Sequence, residues 1–243
     1  SWKLKASGGI DWTLVSGEIT APDLKIMNLD GINLKASLQP ETDSSTRIEA
    51  RAGLRGGSIG IEARVPPALK GVFSGRVNFK ELPLKDIFSL LPDLPLVPDC
   101  SLNGFLEFNG QEINLQKIQA RSELRFEAPK SPVEGQPGRP LLPLTGNIKG
   151  SAANGEITLS DLNLQALETN LSLEAKATEL KKISGELHLK IEELSRTINS
   201  LKSSGLDRSL PDLAASLQNL PEIKGTFGLE AKVSGNFERP EFG

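Results

Sequence analysis

The sequence has few of the residue types that most often carry chemistry. Its 243 residues include one cysteine, Cys100, and one histidine, His188, while tyrosine is absent and aromatic residues make up 5%. A single cysteine excludes an intrachain disulfide, and a single histidine excludes a histidine-based metal centre or catalytic cluster. Cys100 is close to Leu102 in sequence, and we interpret it as a small buried hydrophobic residue rather than a reactive thiol.

Long apolar runs and a strong excess of one charge are also missing. No stretch approaches the roughly 18 consecutive apolar residues of a membrane-spanning helix, and the first residues lack the basic and apolar regions of a signal peptide. We therefore expect the chain to be cut from a longer protein. The formal net charge is −3 with 24% charged residues, which is too balanced for disorder and too acidic for a general nucleic-acid binder. A folded protein that does not bind nucleic acid is expected.

Apolar and polar residues alternate repeatedly, which is the pattern of a β-strand with one apolar face. In one run, Ile59 and Ile61 alternate with Gly60 and Glu62. The residues that we predict to share the apolar face are Ile19, Ile32, Leu34, Ala36, Ile59, Ile61, Val77, Phe79, Leu106, Phe108, Ile113, Leu115, Ile157, Leu159, Leu171, Leu173, Leu187, Leu189, Phe227, Leu229 and Val233.

The connections between these runs predict an antiparallel meander with short helical insertions. Tight turns are indicated by four residue pairs that favour positive φ angles, and these are Asp30-Gly31, Gly56-Gly57, Asn109-Gly110 and Asn154-Gly155. Helical spacing of apolar residues predicts three short amphipathic helices near 84–91, 191–203 and 211–220. The stretch 129–142 is rich in proline and glycine, and we predict that it is a surface loop.

A phrase repeats along the chain, which favours a repeat architecture. The run that starts at Gly17, GEITAPDLKI, returns at Gly155 as GEITLSDLNL, a shift of 155 minus 17, or 138 positions. We predict a first unit over 1–128, with one helix, and a second, incomplete unit over 143–243, with two helices.

A sheet with one apolar face must bury that face, and three short helices cannot cover a dozen strands. We expect an extended, twisted antiparallel sheet that curls into an apolar groove. An aliphatic lining with few polar groups suits hydrocarbon chains. Alternation alone fits a closed core as well, so a structural or adhesive β-repeat domain is the alternative.

Residues Gly225 to Pro240, GTFGLEAKVSGNFERP, resemble the repeating phrase of TamB and AsmA-like proteins, in which alternating strands end in Gly-x-apolar-x-x-Pro. The run Leu82-Pro83-Leu84 before a short helix, followed by Leu102-Asn103-Gly104, is similar to the unit boundary of that family. The resemblance implies a mainly β, taco-like groove that forms part of a bridge across the periplasm.

The resemblance also implies a function in outer-membrane biogenesis. The predicted apolar-face residues would line the groove and bind phospholipid acyl chains in transit between the inner and outer membranes. The chain would be the periplasmic part of a longer, inner-membrane-anchored protein, and an Omp85-type outer-membrane protein would bind to regions outside it. We expect no enzymatic activity and no catalytic, metal or cofactor site.

Overall fold

Within the residues that it describes, the computed structural model shows a mainly β protein with helices α1 (Leu84–Phe88) and α2 (Leu194–Ser203). It describes residues 16–26, 29–67, 71–88, 97–111, 116–129, 141–178, 182–203, 215–216, 218–219, 223–236 and 239–242. The strands of the first part are β1 (Gly17–Ile26), β2 (Leu29–Pro40), β3 (Thr46–Leu54), β4 (Gly57–Val65), β5 (Phe73–Pro83), β6 (Val97–Asp99), β7 (Ser101–Gly110) and β8 (Ile118–Glu127). Those of the second part are β9 (Leu141–Ala153), β10 (Glu156–Ala166), β11 (Thr169–Thr178), β12 (Lys182–Ile191), β13 (Phe227–Asn236) and β14 (Arg239–Phe242).

Thirteen of the strands form one antiparallel sheet in chain order, from β1 through β5, then β7 through β14. The short strand β6 pairs in parallel with the start of β9. The described sheet is not closed, because β1 and β14 lie at its two ends. The mainly β antiparallel meander predicted from the sequence is confirmed, whereas the curl of the sheet into a groove stays a prediction.

Period-two alternation explains why these segments form strands. In β12 the odd-numbered residues, which include Leu187 and Leu189, are half-buried, whereas the even-numbered ones, which include Glu186 and His188, are exposed. Successive residues of a strand point to opposite faces. One apolar and one polar face follow from the sequence itself.

The predicted turns are confirmed in part. Asn154-Gly155 is a two-residue turn between β9 and β10, and the β3–β4 turn falls at Arg55-Gly56, one residue before the predicted pair. The prediction of a turn at Asp30-Gly31 is wrong, because both residues lie in β2, where the positive φ of Gly31 accompanies a register shift against β1. Glycine in a strand commonly marks such a bulge.

The predicted turn at Asn109-Gly110 is also wrong, since both residues end strand β7. Gly110 serves close packing there, because a Cβ at this position would lie 2.7 Å from Cζ of Phe73. This position requires a residue without a side chain, and it does not require a positive φ.

The helices agree with the periodicity in part, because α1 begins at Leu84 and α2 ends at Ser203 as predicted, while residues 89–91 lie outside the described residues. The described part of the first helix is the single turn α1, and the second begins at Leu194 because β12 continues to Ile191. Near 211–220 only residues 215–216 and 218–219 are described, and there the amide of Asn219 donates to the carbonyl of Ala215 at 3.3 Å. Most of the predicted loop 129–142 lies outside the described residues, and its last two residues belong to β9, which begins at Leu141.

The two copies of the repeated phrase fold alike. Gly17 begins the β1–β2 hairpin, and the second copy forms the β10–β11 hairpin. Each hairpin has a register shift close to the same point of the phrase, at Asp23 and at Asp161. Strands β3 and β4 separate β2 from β5, however, while β11 pairs directly with β12. The division into two units stays a prediction.

The buried core lies where α1 crosses the ends of the central strands. Its members are Ile32, Leu54, Leu82, Leu84, Cys100 and Leu102. The amide of Leu84 donates to the carbonyl of Cys100 at 3.0 Å, which joins the start of α1 to the segment before β7. Burial, with the nearby charge of Asp99, raises the pKa of Cys100 to about 11. Cys100 is thus a buried hydrophobic residue, as predicted.

We expect Cys100 to resist alkylation in the folded protein. The thiolate is the reactive species, and at pH 8 a thiol with a pKa of about 11 is almost wholly protonated as well as covered. Mass spectrometry after iodoacetamide treatment should detect labelling only in urea. Equal labelling with and without urea would contradict the burial of this end of the sheet.

Candidate functional site

The strand register places the predicted apolar residues on one face of the sheet. Directly paired residues in an antiparallel sheet point to the same side, so the register connects the faces of successive strands. In the second part Leu173 pairs with Leu162 on one side and Leu187 on the other, and Leu187 pairs with Ala231. The same row of the sheet is therefore apolar across β10 to β13.

The first part of the sheet has an equivalent row. Ile19 pairs with Ala36, Ala50 pairs with both Ala36 and Ile61, and Ile61 pairs with Val77. Val77 then pairs with Leu106 of β7, and β8 and β9 connect this row to the second part. We call this continuous surface the apolar face.

Nineteen of the predicted residues share the apolar face by register. They are Ile19, Ile32, Leu34, Ala36, Ile59, Ile61, Val77, Phe79, Leu106, Phe108, Ile157, Leu159, Leu171, Leu173, Leu187, Leu189, Phe227, Leu229 and Val233. Ile113 and Leu115 lie outside the described residues. Whether any of these residues binds lipid stays a prediction.

Sequence reasoning missed strands β3, β8 and β9 of the apolar face, and β9 contributes Ile148, which pairs with Leu124. Strand β3 contributes Ala50 and Ala52, and strand β8 contributes Leu124 and Phe126, which pair with Gly104 and Leu102 of β7. The signal was present, because β8 alternates apolar residues with charged and polar ones throughout IQARSELRFE.

The apolar face is most deeply buried under α1 and partly exposed in other strands. Leu82, under α1, is 3% exposed, whereas Ile61 is 38%, Leu106 is 37% and Leu229 is 43% exposed. Those three lie in three different strands, so the exposure is not confined to one edge. Exposed aliphatic side chains on a shared apolar face mark a surface suited to an apolar ligand or partner.

Small residues leave room between the larger side chains of this face. Gly75 faces Phe108, whose ring lies so close that a Cβ at Gly75 would be 2.5 Å from Cζ. The rings of Phe73 and Phe108 have centroids 6.3 Å apart at 46°. Gly150 and Gly185 occupy the same face in β9 and β12. The surface is thus uneven, apolar and almost free of charge.

The opposite face, which we call the polar face, carries ion pairs between neighbouring strands. Arg76 pairs with Glu107 across β5 and β7, and Arg121 with Glu123 within β8. The guanidinium carbons of Arg76 and Arg121 lie 4.4 Å and 5.8 Å from the ring centroid of Phe105, which allows cation–π attraction. The Arg76–Glu107 pair joins two neighbouring strands, and the charged side chains keep this face of the sheet in contact with water.

The β2–β3 turn carries a further polar cluster. Hydrogen bonds from the hydroxyl and the amide of Ser45 lower the pKa of Asp43 to about 2, and the Arg64 guanidinium at 2.7 Å adds to the effect. Arg64 also lies 2.7 Å from the carboxylate of Glu41. The cluster fixes the turn to strand β4.

The clefts outlined by described residues lie on the polar face. One of about 700 Å³ lies over β1 to β5, one of about 470 Å³ over β3 to β7, and one of about 400 Å³ over β9 to β12. Most of their lining side chains belong to the polar face. The apolar face is a broad surface by comparison.

His188 lies on the polar face, as its place between Leu187 and Leu189 predicts. Its Nδ1 is 3.8 Å from the carboxylate of Glu230. Within the described ranges no three histidine, cysteine or acidic side chains lie close enough together to hold a metal ion.

Among the described residues, no helix has the length and apolar character needed to cross a membrane. Comparison of the chain with protein-family models, with curated proteins and with solved structures finds no match.

Proposed function

We propose that the apolar face binds the acyl chains of phospholipids and that the chain is a segment of a protein that carries lipid between the inner and outer membranes. The observation that carries the proposal is the continuity of this face across twelve strands, β1 to β5 and β7 to β13, with exposed aliphatic residues in strands as far apart as β4 and β13. Hydrocarbon needs apolar area and no hydrogen-bond partners.

The energetics of transfer suit a passive conduit. Moving one CH₂ group from water to an apolar surface gains about 0.8 kcal/mol, so an exposed acyl chain is held. Moving the same chain from a bilayer to this face gains almost nothing, because both environments are hydrocarbon. A lipid is therefore shielded from water without being trapped at any one strand.

The cellular setting of this proposal rests on the resemblance to TamB and AsmA-like proteins. Under this proposal the chain lies in the periplasm, within a longer protein anchored in the inner membrane. Outside this chain, an Omp85-type protein would form the contact at the outer membrane. Curling of the sheet around the lipid, as in a taco-like groove, belongs to the same proposal.

A structural β-repeat domain is the second candidate, and the buried cluster under α1 favours it. Leu82 and Leu102 are covered as in an ordinary protein core. If the remaining apolar face were covered in the same way by another protein surface, the sheet would be a spacer or an adhesive module without a lipid path.

Mass spectrometry of lipids that copurify with the chain tests the proposal. We expect phospholipid in the native protein and much less in Leu187→Gln, which places an amide on the apolar face. Glu186→Gln is the matched control, because Glu186 precedes Leu187 in β12 and its side chain lies on the polar face. Absence of phospholipid from the native protein, or equal amounts in both variants, would favour the structural module.

A further inference from the structure

One of the clefts on the polar face lies over Gly60 of strand β4. Its volume is about 700 Å³, and side chains from β1 to β5 line it. A Cβ built on Gly60 would meet no atom within 4 Å. The missing side chain leaves a gap in the polar surface, and this gap forms the floor of the cleft.

Three cationic side chains line the cleft without an acidic partner. They are Lys35 of β2, Arg51 of β3 and Lys80 of β5. Within the described part of the chain, none of the three side chains forms a hydrogen bond or an ion pair. Arg64 and Arg76, on the same face, each have an acidic partner. The three cations are therefore available to a ligand.

The strand register places two of these cations side by side, which lowers the stability of the sheet. Lys35 and Arg51 are directly paired across β2 and β3, and Arg51 in turn is paired with Gly60. Like charges directly opposite each other in a sheet destabilise it. An anion bound above Gly60 would offset the repulsion between Lys35 and Arg51.

Neutral donors complete the surroundings of Gly60. Asn78 is paired with Gly60 across β4 and β5, and its Oδ1 accepts from Nε of Arg76 at 2.8 Å. This bond orients the amide and leaves its N–H groups as donors. Ser58, paired with Lys80, adds a hydroxyl.

Acidic residues line the opposite side of the same cleft. Glu49 and Glu62 are paired one row further along the strands, and Glu18 lies at the β1 side. Glu49 is already bound to Arg47 at 2.6 Å. An anion would therefore lie towards Arg51 and Lys80 rather than at the centre of the cleft.

We propose that this cleft binds the phosphate group of an anionic ligand. A phosphate oxygen pair matches the fork of a guanidinium, and two ammonium groups add charge-assisted hydrogen bonds. The proposal is independent of the lipid function, because the sheet separates this cleft from the apolar face. The phosphate can come from a soluble ligand or from the headgroups of an anionic membrane that the polar face contacts.

Titration with inorganic phosphate, followed by the backbone amide NMR signals of the chain at constant ionic strength, tests the site. We expect saturable shifts at Lys35, Arg51 and Gly60. Arg51→Gln should weaken binding at least about tenfold through the loss of a charge-assisted pair. Gly60→Thr should weaken it similarly by filling the gap, while a β-branched residue keeps the strand stable.

Two control variants separate the site from general effects. Gly228→Thr fills another open glycine position on the polar face, and Lys232→Gln removes one positive charge far from the cleft. Both should bind phosphate as the native chain does. A second probe, vesicles of phosphatidylglycerol against vesicles of phosphatidylcholine, identifies the source of the phosphate.

Binding of inorganic phosphate assigns the site to a soluble ligand. Binding to phosphatidylglycerol vesicles alone, with the same loss in Arg51→Gln and Gly60→Thr, assigns it to a membrane headgroup. The proposal is overturned if neither probe binds, if these two variants bind like the native chain, or if the control variants lose binding equally.

Discussion

Replacing Leu173 with arginine is expected to stop phospholipid from passing along the chain while leaving the sheet folded. Leu173 is half-buried in the centre of the apolar face, between Leu162 and Leu187. A cation against hydrocarbon costs on the order of 2 to 4 kcal/mol, by analogy with lipid-facing positions of membrane barrels. A single position with this cost would block a path along which the lipid otherwise has nearly the same free energy at every strand.

The fold should survive because a long cationic side chain on a partly open surface can extend its charge to water. Transfer of a fluorescent phospholipid between vesicles measures the first effect, and thermal unfolding followed by circular dichroism measures the second. Ser172→Arg is the matched control, since Ser172 pairs with Asn163 and His188 on the polar face. Unfolding of Leu173→Arg alone would indicate a closed core, as in the structural module.

Truncation of Leu82 to alanine should destabilise the protein strongly. Leu82 is 3% exposed in the cluster under α1, and a Leu→Ala change in such a place costs about 2 to 5 kcal/mol. The same change at Leu106, which is 37% exposed, should cost much less because the truncation removes less buried apolar area. Urea unfolding of both variants measures the difference.

The comparison of Leu82 and Leu106 tests where the core ends. If the two variants lost equal stability, the apolar face would be covered at Leu106 as it is at Leu82. The proposal of an exposed lipid-binding surface would then lose its main support. A large loss at Leu82 alone agrees with a core restricted to the α1 end of the sheet.

Period-two alternation was enough to predict most of the strands and to assign nineteen of the predicted residues to one face. It worked because one face is apolar in almost every strand, so that a wrong register would expose that face. It was less successful for glycines, since Gly31 belongs to a bulge and Gly110 to a close contact with Phe73. A glycine alone does not distinguish a turn from either role.

The cationic cleft proposed to bind phosphate could not be predicted from the sequence. Lys35, Arg51 and Lys80 are far apart in the chain, and only the register of four strands brings them around Gly60. Curvature is hidden for a similar reason, because alternation assigns faces and carries no information on how strongly neighbouring strands twist.

Photo-crosslinking in cells at two adjacent residues tests the lipid-binding surface most directly. A photoreactive amino acid at position 173 faces the apolar side, and one at position 172 faces the polar side, because successive strand residues point to opposite faces. We expect phospholipid to be captured by the residue that replaces Leu173 and not by the one that replaces Ser172. Equal capture at both positions, or none at either, would contradict lipid binding by the apolar face.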